Sequence, residues 1–70
     1  MYKRQDLDGA LEAAQQAYAL EPENAQIVDT LGVLYQAKGL HDRAQAMFER
    51  AHHLAPDDRE IEARLEAARR

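Results

Sequence analysis

Three histidines and thirteen carboxylates are the residues of this chain that could do chemistry. A metal site would need several of them to converge on one point. His52 and His53 are adjacent, so on a helix they point about 100° apart and cannot share a metal ion as histidines at i and i+4 can. His41 lies about three helical turns from His52, which is too far for joint ligation. We expect no metal site and no cofactor.

The carboxylates are expected at helix starts and on outward faces, where they cap helices and keep the surface charged. The nine of the thirteen that are assigned to such positions are Asp6, Asp8, Glu12, Glu21, Glu23, Asp42, Glu49, Asp57 and Asp58. Nothing in the sequence buries one of them in a pocket, the environment that acid–base catalysis requires. The chain has no cysteine or serine, and its three glycines are isolated rather than gathered in a phosphate-binding loop. We expect that the protein is not an enzyme.

Charge and hydropathy limit the class of partner. The formal net charge is −4, whereas a nucleic-acid binder needs a basic face. The apolar runs are only a few residues long, and a helix needs ~20 apolar residues to cross a bilayer. The N-terminal residues do not resemble a signal peptide. We expect a soluble, cytoplasmic protein that neither binds nucleic acid nor inserts into a membrane.

Residues that favour helices fill the chain, and three helix-stopping residues divide it. Pro22 and Pro56 end a helix before them, and Gly39 can take the left-handed conformation that closes one. The predicted helices span about 7–20, 25–38, 40–54 and 58–70. Asp6 is the expected N-cap of the first, and Asp57 with Glu60 has the spacing of a capping box. Short connections make neighbouring helices antiparallel, so the predicted fold is all-α.

The chain repeats itself with a period of thirty-four residues, which aligns Pro22 with Pro56. Six further identities accompany the prolines: Asp8/Asp42, Ala10/Ala44, Ala17/Ala51, Leu20/Leu54, Ile27/Ile61 and Leu31/Leu65. Most of these residues are small or apolar and recur at helical spacing. A period of this length is typical of stacked helical repeats, an α-solenoid, in which each unit buries its apolar face against a neighbour.

Residues 25–58 resemble a tetratricopeptide repeat, a family whose unit is a pair of helices thirty-four residues long that ends in a proline. The resemblance is carried by Leu31, Gly32, Tyr35, Ala44, Phe48, Ala51 and Pro56. We expect Gly32 and Ala44 to face each other where the two helices cross, with Tyr35 and Phe48 beside them. Val28 departs from the family, which often has tryptophan at this position.

The resemblance extends to both ends, so residues 1–70 are expected to form a single domain. Residues 1–24 match the second half of a repeat, 25–58 a full repeat, and the final segment, 59–70, the first half of another. In that segment Glu66 and Arg69 stand where the family has glycine and an aromatic residue. Glu62 stands at the position that corresponds to Val28 in the full repeat. We interpret 59–70 as a C-terminal capping helix, the polar end that a repeat array needs.

The first predicted helix lacks the helix that would cover it. Its apolar strip consists of Leu7, Ala10, Leu11, Ala14 and Tyr18. Either the chain is the C-terminal piece of a longer array, or copies of it cover one another in a homo-oligomer, with a dimer as the simplest form.

The resemblance implies that the function is protein–protein interaction, as a scaffold that docks a protein or peptide in a concave groove. The first helix of each pair lines that groove. The residues implied are Gln26, Asp29, Thr30, Val33, Gln36, Ala37, Glu60, Ala63, Arg64 and Ala67. Some family members clamp a C-terminal carboxylate there with lysine and asparagine, but Asp29 and Val33 exclude that specialisation. The alternative is a structural self-assembly unit, natural or engineered, that dimerises through its uncovered N-terminal helix.

Overall fold

The computed structural model describes residues 4–70, which form four helices. Their bounds are Arg4–Leu20 (α1), Ala25–Ala37 (α2), His41–Leu54 (α3) and Arg59–Arg69 (α4). Each helix packs against the next along the chain, and no strand occurs within the described range. The all-α prediction is confirmed. Residues 1–3 of the predicted N-terminal half repeat lie outside the described residues.

Helix α1 begins earlier than the sequence predicted. It starts at Arg4, so Asp6 lies within its first turn and is not its N-cap. An acidic residue in the first turn still interacts favourably with the positive end of the helix dipole. The predicted N-cap at Asp6 is therefore wrong, although the expected electrostatic role of its charge is compatible with this position.

The turn between α2 and α3 depends on Gly39, which has a φ of 82°. The N–H of Gly39 donates to the carbonyl of Gln36 at 3.0 Å, and the N–H of Leu40 donates to that of Tyr35 at 2.9 Å. This pair of bonds is a Schellman motif, which satisfies carbonyls that the helix end leaves without partners. Glycine adopts a positive φ readily because it has no Cβ. The predicted helix stop at Gly39 is confirmed, and it makes α2 and α3 an antiparallel pair.

Helices α2 and α4 begin with equivalent N-caps that lie thirty-four residues apart. The side chain of Asn24 accepts the N–H groups of the second and third residues of α2 at 3.0 and 3.3 Å. Asp58 accepts the corresponding groups of α4 at 3.0 and 3.1 Å. The sequence predicted a capping box from Asp57 to Glu60. That prediction is wrong by one residue, because the capping carboxylate belongs to Asp58.

A core shared by all four helices holds them together. One cluster contains a buried residue from each of α2, α3 and α4, namely Val28, Ala51 and Ile61, with Tyr18 of α1 packed against it. The adjoining cluster consists of Ala44, Phe48 and Leu65. Because successive helices contribute to the same clusters, their outward faces are held in a fixed relation to one another.

Helices α2 and α3 approach most closely at Gly32 and Phe48. A Cβ built on Gly32 would lie 2.7 Å from Cε1 and 2.8 Å from Cδ1 of the Phe48 ring, well inside van der Waals contact. The sequence predicted Ala44 as the neighbour of Gly32. The atoms nearest to Gly32 instead belong to Phe48, while Ala44 is buried in the cluster with Phe48 and Leu65. Glycine is required here because the phenyl ring occupies the space of a side chain.

Candidate protein-interaction surface

The predicted groove lies along α2 and α4. Both helices turn their large apolar residues inward, because Val28, Leu31, Ile61 and Leu65 are buried. Eight of the ten predicted groove residues are exposed: Gln26, Thr30, Val33, Gln36, Ala37, Glu60, Ala63 and Ala67. The other two, Asp29 and Arg64, are half-buried. The helical period explains this division, since residues on the face opposite the core must point to solvent.

Asp29 and Arg64 form an ion pair that joins α2 to α4. Nη1 of Arg64 donates to Oδ2 of Asp29. The side chain of Asp29 is only 14% exposed, whereas that of Arg64 is 40% exposed. The two residues were predicted separately, as charged edges of the groove, and the structure brings them into contact. The guanidinium is the part of this pair that a partner can reach.

Burial raises the pKa of the Asp29 carboxyl above its ordinary value of 3.8. The positive charge of Arg64 lowers this pKa, and the negative charges of Asp58 and Glu60 raise it further. Within the described part of the chain, Oδ1 of Asp29 is buried and has no hydrogen-bond partner. The carboxylate therefore carries a desolvation cost that the ion pair offsets only in part.

An apolar strip lies beside the ion pair. It consists of Val33 and Ala37 on α2 and of Ala63 and Ala67 on α4, all of them exposed. Val33 is 39% exposed, which makes it one of the large apolar side chains on the surface. The strip offers a partner van der Waals contact and apolar burial, with room for small side chains.

The five predicted self-association residues do not all share one environment on α1. Tyr18 packs against the core cluster of Val28, Ala51 and Ile61. Ala10 is exposed, whereas Leu7, Leu11 and Ala14 are half-buried. Part of the predicted strip is thus already occupied by contacts within the chain.

Two polar contacts show which face of α1 lies toward α2 and its C-terminal end. Asp8 forms an ion pair with Lys38, and the Nε2 group of Gln15 donates to the Tyr35 hydroxyl at 3.3 Å. Leu11 lies between Asp8 and Gln15 at helical spacing and so belongs to the same face. Ala14 and Ala17 are half-buried and line a shallow pocket with Ile27 and Thr30 of α2. Ala10, Ala13 and Leu20 are exposed on the remaining surface of α1, and Leu20 is 83% exposed.

The three histidines differ in exposure. His41 and His53 are exposed, and His52 is half-buried with a buried Nδ1 atom that has no hydrogen-bond partner among the described residues. Within residues 4–70, no group of three histidine, aspartate or glutamate side chains is arranged to hold a metal ion.

Sequence reasoning did not foresee a shallow depression between α3 and α4. It is lined by Ala46, Glu49, Arg50, His52, His53, Leu65 and Arg69. The thirty-four-residue period contains the signal that would have revealed it. Leu65 and Arg69 occupy the positions of Leu31 and Tyr35, which are α2 residues beside the next helix along the chain. The depression is therefore the place where a helix following α4 would lie.

No helix within the described residues has the length and apolar character needed to cross a membrane.

Comparison with known proteins identifies the family. Comparison with curated proteins returns no match. The family model described as tetratricopeptide repeat matches residues 1–69. This match covers nearly the whole chain, and it agrees with the four antiparallel helices, the repeated caps and the Gly32–Phe48 contact. The chain belongs to the tetratricopeptide repeat family.

Proposed function

We propose that this chain is a scaffold module that docks a peptide or an amphipathic helix in the groove along α2 and α4. The family serves protein–protein interaction in general, and its repeats are typically non-catalytic. The observation that carries the proposal is the exposed apolar strip of Val33, Ala37, Ala63 and Ala67 beside the Asp29–Arg64 pair. Apolar surface with a polar rim is the usual composition of an interaction site.

Each part of the groove has a distinct task in this proposal. The apolar strip receives small side chains of the partner and removes them from water. Arg64 still has exposed guanidinium surface, so it can donate to an acidic group of the partner while it neutralises Asp29. The exposed amides of Gln26 and Gln36 can pair with the partner's backbone. Two helices make a short groove, and interfaces below ~1,200 Å² are typical of transient complexes.

A matched pair of substitutions tests the strip. Val33 and Leu40 are both 39% exposed, but only Val33 lies in the groove. A peptide selected from a display library against this chain should bind at least tenfold more weakly after Val33→Glu, as measured by titration calorimetry. Leu40→Glu should leave its affinity unchanged. Equal losses, or no loss from Val33→Glu, would place the peptide on another surface.

A charge exchange tests the edge of the groove. Asp29→Lys combined with Arg64→Glu keeps an ion pair between α2 and α4 but reverses its direction. The fold should survive, as judged by circular dichroism, while an acidic peptide loses affinity because the exposed partner of the pair is now negative. Unchanged binding of the acidic peptide would show that Arg64 does not contact it.

The second candidate function is structural self-assembly into a homo-oligomer through α1. The observation that favours it is the exposure of Leu20, whose equivalent in the next repeat, Leu54, packs against the core. A repeat cannot bury its own apolar face without a neighbour. The interpretation of 59–70 as a capping helix is a separate proposal, supported by the exposure of Glu62, Glu66 and Arg69. Such residues would close this end of an array to a helix that carries phenylalanine at the position of Phe48.

A further inference from the structure

We infer that the two ends of this chain bind each other between copies, with α1 of one copy packed against α4 of the next. This inference rests on the second candidate function, self-assembly, and names the two surfaces that meet. By the thirty-four-residue period, α1 corresponds to the second helix of a repeat and α4 to the first. Together they would form a helix pair equivalent to α2 and α3.

The α2–α3 pair supplies the geometry of the contact. A shift of thirty-four residues places α2 on α4, and the reverse shift places α3 on α1. In the chain itself, α3 lays Arg43 over the ring of Tyr35 and Arg50 over the ring of Tyr18, each at 5.9 Å. The corresponding surface at the other end of the chain is the shallow depression between α3 and α4. In the proposed contact, α1 of another copy would occupy it.

At the central contact, the large side chain lies on one helix in the α2–α3 pair and on the other helix in the α4–α1 pair. Between α2 and α3, Gly32 lies beneath the ring of Phe48. The equivalent positions hold Glu66 on α4 and Ala14 on α1. Phenylalanine opposite glutamate would overfill this crossing, so α4 is closed to a helix like α3. Alanine opposite glutamate leaves the space that the longer side chain needs.

A second position shows the same exchange. Where α2 and α3 have Tyr35 and Arg43, α4 and α1 have Arg69 and Gly9. Gly9 lies inside α1, where glycine is unfavourable relative to alanine. Its own chain does not require it, because its φ is not positive and a Cβ there would meet nothing within 4 Å. In the α4–α1 pair, Gly9 makes room for the Arg69 side chain.

Exposure identifies the face of α1 that would take part. On α3, the face toward α2 includes Ala44, which is 1% exposed, and Leu54, which packs on the core. Their equivalents on α1 are Ala10 and Leu20, and both are exposed. The face that is buried on α3 and exposed on α1 is therefore the one available for the contact.

One pair of opposite charges would meet where the two helices end. In an antiparallel pair, the last turn of one helix lies beside the first turn of the other. The last turn of α4 contains Arg69, and the first turn of α1 contains Asp6. These opposite charges would lie near each other in the contact, and salt would weaken their attraction.

The contact joins two different surfaces, so it is heterologous and leaves one α1 surface and one α4 surface unpaired on each linear assembly. Copies then add end to end, and the average mass rises with concentration without stopping at a dimer. Pairing of α1 with α1 about a two-fold axis would instead stop at two copies. This difference distinguishes the inference from other forms of self-assembly.

Two chains, each blocked at one end, provide the test. Ala10→Arg blocks α1, and Glu66→Trp blocks α4; both residues are exposed, so each variant should fold. By sedimentation equilibrium, either variant alone should remain monomeric up to millimolar concentration, while a mixture should form a 1:1 dimer and nothing larger. Ala19→Arg and Glu12→Trp are matched controls on an exposed face of α1 outside the contact. Both controls should self-associate like the parent chain.

Three outcomes would overturn the inference. A monomeric mixture would show that the two ends do not bind each other. A parent chain that stays monomeric would remove self-assembly altogether. A Glu66→Trp chain that associates as strongly as the parent would assign the contact to α1 alone, which retains self-assembly and rejects the α4 surface.

Gly9→Leu separates association from folding. Leucine forms helix better than glycine, so the dilute chain should melt at a higher temperature. Self-association should nevertheless weaken at least tenfold because Arg69 loses its space. Unchanged association in this variant would contradict the role assigned to Gly9.

Discussion

Helices α2 and α4 occupy the same position in successive repeats, yet one is an inner helix and the other an end helix. Both start from an N-cap, Asn24 or Asp58, that accepts two backbone N–H groups. Both bury apolar residues against α3. Helix α2 packs against both α1 and α3, whereas α4 packs mainly against α3 and meets α2 through the core cluster and the Asp29–Arg64 pair. The caps and the inward residues therefore specify the helix itself, but not how many neighbours it receives.

The difference between the two helices lies on the face toward the following helix. Val28 and Gly32 are buried on α2, and the equivalent residues of α4, Glu62 and Glu66, are exposed. Glycine at position 32 lets Phe48 approach the backbone of α2. Glutamate at position 66 fills that space and keeps a charge in water. These two positions therefore distinguish the buried face of α2 from the polar face of α4.

Among the substitutions that test this difference between α2 and α4, a change at Gly32 should lower the stability most. Leucine at this position must displace the buried Phe48 ring, and overpacking a core typically costs ~1–3 kcal/mol. In a domain of this size, 1 kcal/mol lowers the melting temperature by roughly 4–8 °C. Gly32→Leu should therefore melt at least several degrees below the parent chain in thermal circular dichroism, and Ala44→Leu should behave similarly.

The same change on α4 is the control. Glu66→Leu places leucine at the equivalent, exposed position, so the free energy of unfolding should stay within about 0.5 kcal/mol of the parent value. Gln26→Leu, on the outward face of α2, should also be tolerated. Equal melting temperatures for Gly32→Leu and Glu66→Leu would contradict the close approach at Gly32.

Removal of either N-cap should destabilise the protein by an intermediate amount. The loss should affect the whole domain in one case and mainly α4 in the other. Loss of a capping side chain costs about 1 kcal/mol. Asn24→Ala should lower the melting temperature of the whole domain, because α2 contributes to packing on both of its sides. Asp58→Ala should chiefly accelerate hydrogen exchange in α4, because an end helix can open while the others stay folded.

The neighbouring residue Asp57 provides a matched control for the caps. It is exposed, and the cap of α4 is the adjacent carboxylate, so Asp57→Ala should leave both the melting temperature and the α4 exchange rates close to those of the parent. If Asp57→Ala accelerated exchange in α4 as much as Asp58→Ala, the assignment of the cap would be wrong.

Much of the fold could be predicted because its signals are local. Pro22, Gly39 and Pro56 end helices through their own backbone preferences, which no distant residue alters. The period of thirty-four residues then implied that the helices stack. The outward direction of the groove residues followed from the helical period once the inward residues were known.

The remaining features depend on distances between helices, which the helical period does not determine. The sequence placed Asp29 and Arg64 on the same surface, but their contact depends on how far α2 and α4 lie apart. Gly32 was correctly identified as a site of close approach, yet its nearest neighbour is Phe48 and not Ala44. Tyr18 was assigned to an uncovered strip, although its ring reaches the core cluster.

Asp29 marks another difference between α2 and α4, because Ala63 stands at the equivalent position. The inner helix thus carries a half-buried carboxylate where the end helix carries a methyl group. Two opposing effects act on this carboxylate. Burial disfavours its charged form, and Arg64 favours that form. The raised pKa indicates that burial is the larger effect.

The smallest predicted effect follows from the raised pKa of Asp29. Between its unfolded value, near 3.8, and its higher folded value, the native chain binds more protons than the unfolded chain, so this group destabilises the fold as pH rises. The melting temperature of Asp29→Asn relative to the parent should therefore increase from below pH 3.8 toward neutrality and then become constant. Arg64→Met removes the charge that lowers this pKa, so in that background the same Asp29→Asn difference should be larger at neutral pH. If Asp29→Asn instead became less stable than the parent as pH rises, the ion pair would outweigh burial.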